Sequence, residues 1–307
     1  MIIMKNLKQS IFILTAAILI FSIPQNIFGR DSGSGDVFIW ETHIKACTLF
    51  IAGSVHVGKK DSYPLHETYL EYLERSDKII LEVAENFENI HNIMSEYIQK
   101  DRLPEDKYFR HTLQPEIRDR IIDILGSDQF YRFDQYNAWV LIMQLAVNKM
   151  RLLDYDPLLA VDRYIWDQAF AAGKEISGLE SVEEQFRLLE FDLPYDIQLK
   201  IIERNVGNIL IAAEKEGALY DAYFNNHVEK FGKIFTTRFN FEDPVEKTAY
   251  NKVFTQRNKT WANNLEELAN KHHGAIFVAV GAGHLFGPGN LLECLREKGY
   301  EIHQAGW

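Results

Sequence analysis

Apolar residues in this chain follow two patterns, short unbroken runs near its ends and longer stretches with a helical period in its middle. The runs Leu49-Phe50-Ile51-Ala52, Ile79-Ile80-Leu81 and Ala275 to Val280 are too short for a typical helix and end at or next to glycine or an acid. Such runs suit inner strands covered on both faces. Val37 to Trp40 predicts a first strand, paired with the segment Thr48 to Val57, after a flexible lead-in at Gly33, Ser34 and Gly35. Past Tyr63-Pro64, residues Leu65, Tyr69, Tyr72 and Leu73 form one apolar stripe of a helix, which leads into the strand Ile79 to Val83. Strand, helix and strand at this spacing predict a right-handed βαβ unit. Lys174 to Glu180 reads as a further strand behind a helix from about Leu158 to Ala172, and Glu301 to His303 as an edge strand after a helix from Leu291 to Lys298.

The middle of the chain is helical in period, as in Ile117 to Leu125 and Ala138 to Met150, with Tyr220, Tyr223, Phe224 and Phe231 in its second block. The prediction is a mixed α/β fold. A central sheet is built from the N- and C-terminal strands, and helical insertions at about 86–172 and 182–270 form a cap. Residues 30–307 read as one discontinuous domain. With 307 residues and 47% hydrophobic content, the chain supports a substantial core.

Residues 1–29 stand apart. Lys5 and Lys8 precede the apolar stretch Ile11 to Ile23, followed by Pro24 and Gly29, which is the order of a secretory signal peptide. The stretch is shorter than the roughly 20 residues of a membrane span, so cleavage near Gly29 and retention as a signal anchor are the two outcomes. Either implies export, to the periplasm or the outside, with membrane contact through residues 11–23 only if the segment is kept. Cleavage removes two lysines and no acid, taking the net charge from −11 to −13. That balance argues against nucleic acid or anionic lipid as the main partner. Cys47 and Cys294 lie close to the two strands of interest, and an oxidising compartment permits a bridge between them; two buried thiols are the alternative.

Candidate chemistry begins with a repeated phrase, Gly53-Ser54-Val55-His56 and Gly281-Ala282-Gly283-His284, each directly after a strand run. Glycine at the carboxyl end of a parallel strand allows a tight exit toward the crevice where α/β folds bind ligands. His56 and His284 are therefore expected to project from neighbouring strand ends. Two acids share that setting, Glu82 within the third strand and Glu180 at the end of the fourth. A carboxylate among Ile79, Ile80, Leu81 and Val83 is costly to bury unless it is paired, hydrogen-bonded or bound to metal. A wet face or a neutralising arginine would explain Glu82 equally, and Ser181 with Glu184 makes a capping box that would explain Glu180. Two histidines with carboxylates suit a divalent ion such as manganese, cobalt, iron or zinc. A metal there would activate a water for hydrolysis, and one glutamate could instead serve as general base. Arg257 and Asn258 form a further pair; the arginine suits an oxyanion or substrate carboxylate, or else pairs with a surface acid. Asp162, in Val161-Asp162-Arg163, is a weaker candidate that reads equally as part of the solvated face of its helix.

Taken together, the phrases resemble those of a known family. Leu49 to Val57 as L-F-I-A-G-S-V-H-V, Tyr63-Pro64-Leu65, Ser76-Asp77, Leu81-Glu82, Gly178 to Gln185 as G-L-E-S-V-E-E-Q, Arg257-Asn258 and Val278 to Leu292 as V-A-V-G-A-G-H-L-F-G-P-G-N-L-L look like the TraB/GumN family. That family is similar to the TIKI proteins, described as metal-dependent proteases with two G-x-x-H motifs and an essential glutamate, and more distantly to the erythromycin esterases. The resemblance implies a metal-dependent hydrolase, most readily a peptidase. Carried over by position, it puts His56, Glu82, Glu180 and His284 at the metal, with Arg257 and Asn258 in the catalytic set and manganese or cobalt favoured over zinc or iron. A peptide or small molecule is the expected substrate. The family also contains a pheromone-shutdown protein, which implies a non-catalytic, peptide-sequestering alternative; a small ester or lactone hydrolase is another.

Overall fold

The computed structural model describes residues 37–188, 195–207 and 209–305. The expected leader, residues 1–29, lies outside them. Two compact units divide the described chain: a helical unit from 85–159 and 182–216, and a sheet unit from the described residues up to 84, with 160–181 and 217 onward.

The sheet unit is built on six strands: β1 Ile39–Ile44, β2 Cys47–Ser54, β3 Lys78–Leu81, β4 Glu175–Gly178, β5 Gly274–Gly281 and β6 Ile302–Gln304. Their order across the sheet is β4-β3-β5-β2-β1-β6. The first four of these are parallel, whereas β1 runs antiparallel to β2 and to β6. The unbroken apolar runs are explained by coverage on both faces: all of β2 except Thr48 is buried, and so is β5 from Phe277's neighbour Ile276 to Val280. β1 and β2 form a hairpin that turns at Lys45, a non-glycine residue held at φ 54°.

Several boundaries differ from the sequence reading. The first strand begins at Ile39 rather than Val37 and continues to Ile44. β2 and β3 flank a helix, Glu67–Arg75, and run parallel, but β5 lies between them, so the crossover steps over one strand. β3 ends at Leu81 and β4 at Gly178, which places Glu82 and Glu180 just past the strand ends. The two chains stay joined there, because Leu179 N–H donates to Leu81 O at 2.9 Å and Glu180 N–H to Glu82 O at 3.0 Å. Helix Val161–Ala171 belongs with the sheet rather than with the helical insertion, since it buries Val161, Ile165 and Ala169 and Val161 N–H donates to Val55 O at 2.9 Å.

In the helical unit, Ala138–Leu152 is buried around most of its circumference, with helices such as Phe87–Lys100 and Pro115–Leu125 presenting one apolar stripe each. Its buried charges are paired: Arg110 holds Asp134 and Lys149 holds Glu216 at 2.7 Å. Cys47 and Cys294 are both buried free thiols. Among the described residues no helix is long and apolar enough to cross a membrane.

Candidate functional site

β2 and β5 are neighbours in parallel register, Gly53 beside Val280 and Ser54 beside Gly281, so the two repeated phrases leave the sheet side by side. Their glycines are demanded by close approach. A Cβ on Gly53 would lie 3.1 Å from the Ala282 Cβ, and one on Gly283 would lie 2.6 Å from the Phe235 ring. At Gly281 the crowding is of another kind: a Cβ there would lie 3.1 Å from Glu82 Oε1, 3.6 Å from His56 Nε2 and 3.8 Å from His284 Cδ2. The missing side chain at this one glycine thus lets both imidazoles and an acid come close to the same point.

Arg257 sits at the centre of the charged groups. It lies one residue into helix Gln256–Lys271, directly after a π-helical turn, Asn251–Thr255, and its guanidinium stacks 4.4 Å from the Trp261 ring. Nη2 donates to Glu82 Oε2 at 2.8 Å and to Glu180 Oε1 at 2.6 Å, and Nε donates to Glu180 Oε2 at 3.0 Å. Nη1 donates to Val253 O at 3.0 Å and faces His284 Nε2 at 3.0 Å. A guanidinium has five N–H groups. All five are taken inside the cluster, so in this arrangement Arg257 has no donor left for an oxyanion or a substrate carboxylate.

The tautomer of His284 follows from its partners. Asn258 Nδ2 donates to Gly289 O at 2.9 Å, so the Asn258 Oδ1 that faces His284 Nδ1 at 2.6 Å is an acceptor. His284 must therefore carry its proton on Nδ1 and turn the Nε2 lone pair toward Arg257. Burial and the Arg257 charge push its pKa down to about 3, which keeps the ring neutral. For Glu82, burial alone would raise the pKa, but the Arg257 guanidinium and the Gly281 N–H, donated at 2.7 Å, help to bring it down to about 2.

His56 is held differently. Its Nδ1 lies 3.0 Å from Asp162 Oδ2, and its side chain is 17 % exposed. Burial would lower its pKa, but Asp162, with a smaller contribution from Glu82, raises it above the usual 6.5. Nε2 is a buried atom without a hydrogen-bond partner. Behind it, the Tyr223 hydroxyl donates to Gly53 O at 2.7 Å, with the Tyr69 hydroxyl at 3.3 Å from the same oxygen.

The family model described as TraB/PrgY/gumN matches residues 38–304, nearly all of the described chain. The chain belongs to this family. An uncharacterized protein of Treponema pallidum (strain Nichols) is 20% identical over 278 residues, covering 84% of this chain and 80% of the relative. The uncharacterized protein YbaP of Escherichia coli (strain K12) is 24% identical over 248 residues, covering 80% of this chain and 87% of its own. No solved structure matches.

Of the expected site residues of this TraB-family chain, Glu82, Glu180, Arg257, Asn258 and His284 are joined by hydrogen bonds into one cluster, and His56 lies at its edge across Gly281, bonded to Asp162 instead. The cluster as arranged does not fit a metal ion. Both Glu180 oxygens, Glu82 Oε2 and the His284 lone pair face one guanidinium, Glu82 Oε1 accepts from Gly281, and only His56 Nε2 among the inward atoms of the four expected ligands is unpartnered. Among the described residues no group of three or more His, Cys, Asp or Glu is placed to hold a metal. Asp162, a weaker candidate in the sequence that reads equally as part of a solvated helix face, is the residue that holds His56. The sequence carries no signal for the pairing itself, because Asp162 stands in the first turn of a helix that meets the strand-end histidine in space and not in sequence.

Proposed function

We propose that this TraB-family protein hydrolyses an acyl bond, a peptide bond in first place, with His56 as the group that accepts the proton of the attacking water. The observation that carries the reading is the buried His56 Nε2 without a hydrogen-bond partner, on the side of Gly281 to which Glu82 Oε1 also comes close. A base must lie within hydrogen-bond reach of the proton it takes and keep a lone pair available. Water placed there donates to Nε2 while its oxygen bonds to the substrate carbonyl carbon, and the carbonyl π electrons move to oxygen. The oxyanion's electrons then re-form the carbonyl as the bond from carbon to the leaving nitrogen or oxygen breaks, and that atom takes the proton from Nε2. Glu82 and Glu180, kept ionised by Arg257, and neutral His284 supply a fixed polar wall rather than the reacting proton.

Purified protein and its His56→Gln variant, assayed on a panel of peptides and small esters, test the reading. Cleavage that falls by roughly a hundredfold or more in His56→Gln is expected, the range general base catalysis supplies. Saturable binding of an intact peptide without cleavage would instead favour a sequestering role. One equivalent of manganese or cobalt retained through purification, and lost in His56→Ala, would replace this reading with the metal-dependent one that the family resemblance implies, with Arg257 displaced from Glu82.

A further inference from the structure

We propose that Asp162 is the positioning residue of this centre, holding His56 as its Nδ1–H tautomer so that the Nε2 lone pair is left on the side of Gly281. For its purpose the inference rests on the hydrolase reading; its content rests on geometry alone. An ionised carboxylate only accepts hydrogen bonds. With Asp162 Oδ2 at 3.0 Å, Nδ1 must carry a proton, so in the neutral ring Nε2 is the free base. Nothing else fixes the ring, because Nε2 has no partner of its own. A carboxylate placed for stability alone would be expected to satisfy both oxygens, yet Asp162 Oδ1 is buried without a hydrogen bond.

The backbone around this pair is secured independently. Val161 N–H, one residue before Asp162, donates to Val55 O, one residue before His56, at 2.9 Å. Tyr223 and Tyr69 hold Gly53 O from the other side. Removing the Asp162 carboxylate therefore releases the ring while the loop that carries it stays in place. During turnover the same carboxylate faces the imidazolium formed when Nε2 takes the proton, and stabilises it.

Full-length protein labelled with nitrogen-15 at histidine, with the His56 signals assigned through His56→Gln, separates positioning from structure. Long-range proton–nitrogen correlation at alkaline pH is expected to show His56 as the Nδ1–H form in the native chain. In Asp162→Ala it is expected as the Nε2–H form, with Asp162→Glu restoring the native pattern in part. If Asp162→Ala fails to fold, Asp162→Asn carries the same measurement, with the Nδ1–H population lowered. On a cleaved peptide, Asp162→Ala is expected to lower kcat by roughly a hundredfold with KM little changed, as loss of a transition-state interaction does. An unchanged tautomer in a folded variant, or an Nε2–H form in the native protein, overturns the proposal. If even the native chain cleaves nothing, the hydrolase reading fails, and the tautomer result still decides the role of Asp162.

Discussion

A single arginine accounts for most of the electrostatics of the centre. Two carboxylates buried side by side would raise each other's pKa, and a metal is one way to prevent it; Arg257 is another, with three of its five N–H groups given to Glu82 and Glu180. The consequence for acid stability has a definite sign. Glu82 is held at about 2 in the folded chain against an ordinary 4.5, and His284 at about 3 against 6.5. Both values are depressed, so the unfolded chain binds more protons than the folded one across each window, and stability grows with pH there. Denaturant midpoints measured from neutral pH downward should start to fall below about 6.5, where unfolded His284 begins to protonate, and fall more steeply below 4.5, where unfolded Glu82 joins it. In His284→Gln the decline above 4.5 should weaken. An unchanged profile in that variant would mean the native imidazole is not kept neutral.

The parallel pair β2 and β5 shows how much of the site could be read from the chain and where reading stopped. Two apolar runs ending in G-x-x-H announced neighbouring strand ends, because only covered strands tolerate unbroken apolar sequence and only glycine tolerates the contacts at Gly53 and Gly283. Glu82 is legible as an acid amid an apolar run, with a wet face, a metal or a neutralising arginine as the alternative explanations; the structure shows the arginine. What no local pattern gave was the partner of each group: that Arg257 bridges both acids, and that Asp162 reaches His56 across 106 residues, are set by how helices dock on the sheet. The insertion of β5 between β2 and β3 was equally hidden, since strand order depends on contacts distant in sequence. The glycines of the β5 exit can be told apart by substitution. Gly281 has an ordinary φ of −51°, so Gly281→Ala imposes no backbone strain and should cost only about 1 kcal/mol, for the small shift of Glu82 Oε1 away from a Cβ 3.1 Å from it. Its methyl would nevertheless sit between Glu82 and His56, so hydrolysis should be lost. Gly287 has φ 76°, and a Cβ there would lie 2.5 Å from the Tyr250 hydroxyl, so Gly287→Ala should destabilise by more than that amount. Thermal melts beside an activity assay check both, and equal loss of stability in the two variants would contradict the assigned roles.

At the scale of the whole molecule, each compact unit carries its own buried ion pair: Arg257 with Glu82 and Glu180 in the sheet unit, Lys149 with Glu216 in the helical unit. The Lys149 and Glu216 side chains are 3 % and 2 % exposed, so removing one charge strands the other in an apolar interior. Lys149→Met is therefore expected to cost about 3–5 kcal/mol, whereas Lys149→Met combined with Glu216→Leu should recover much of that loss, since a well-packed apolar pair often matches a buried ion pair in stability. Hydrogen exchange read by mass spectrometry locates the effect. Because the helical unit has its own core around Ala138–Leu152, faster exchange in the single variant should concentrate in its amides, 85–159 and 182–216, and leave β2 and β5 protected. Uniformly faster exchange through both units would show that they open as one cooperative body. A double variant as unstable as the single one would show that Lys149 stabilises the helical unit through the packing of its long stem rather than through its charge.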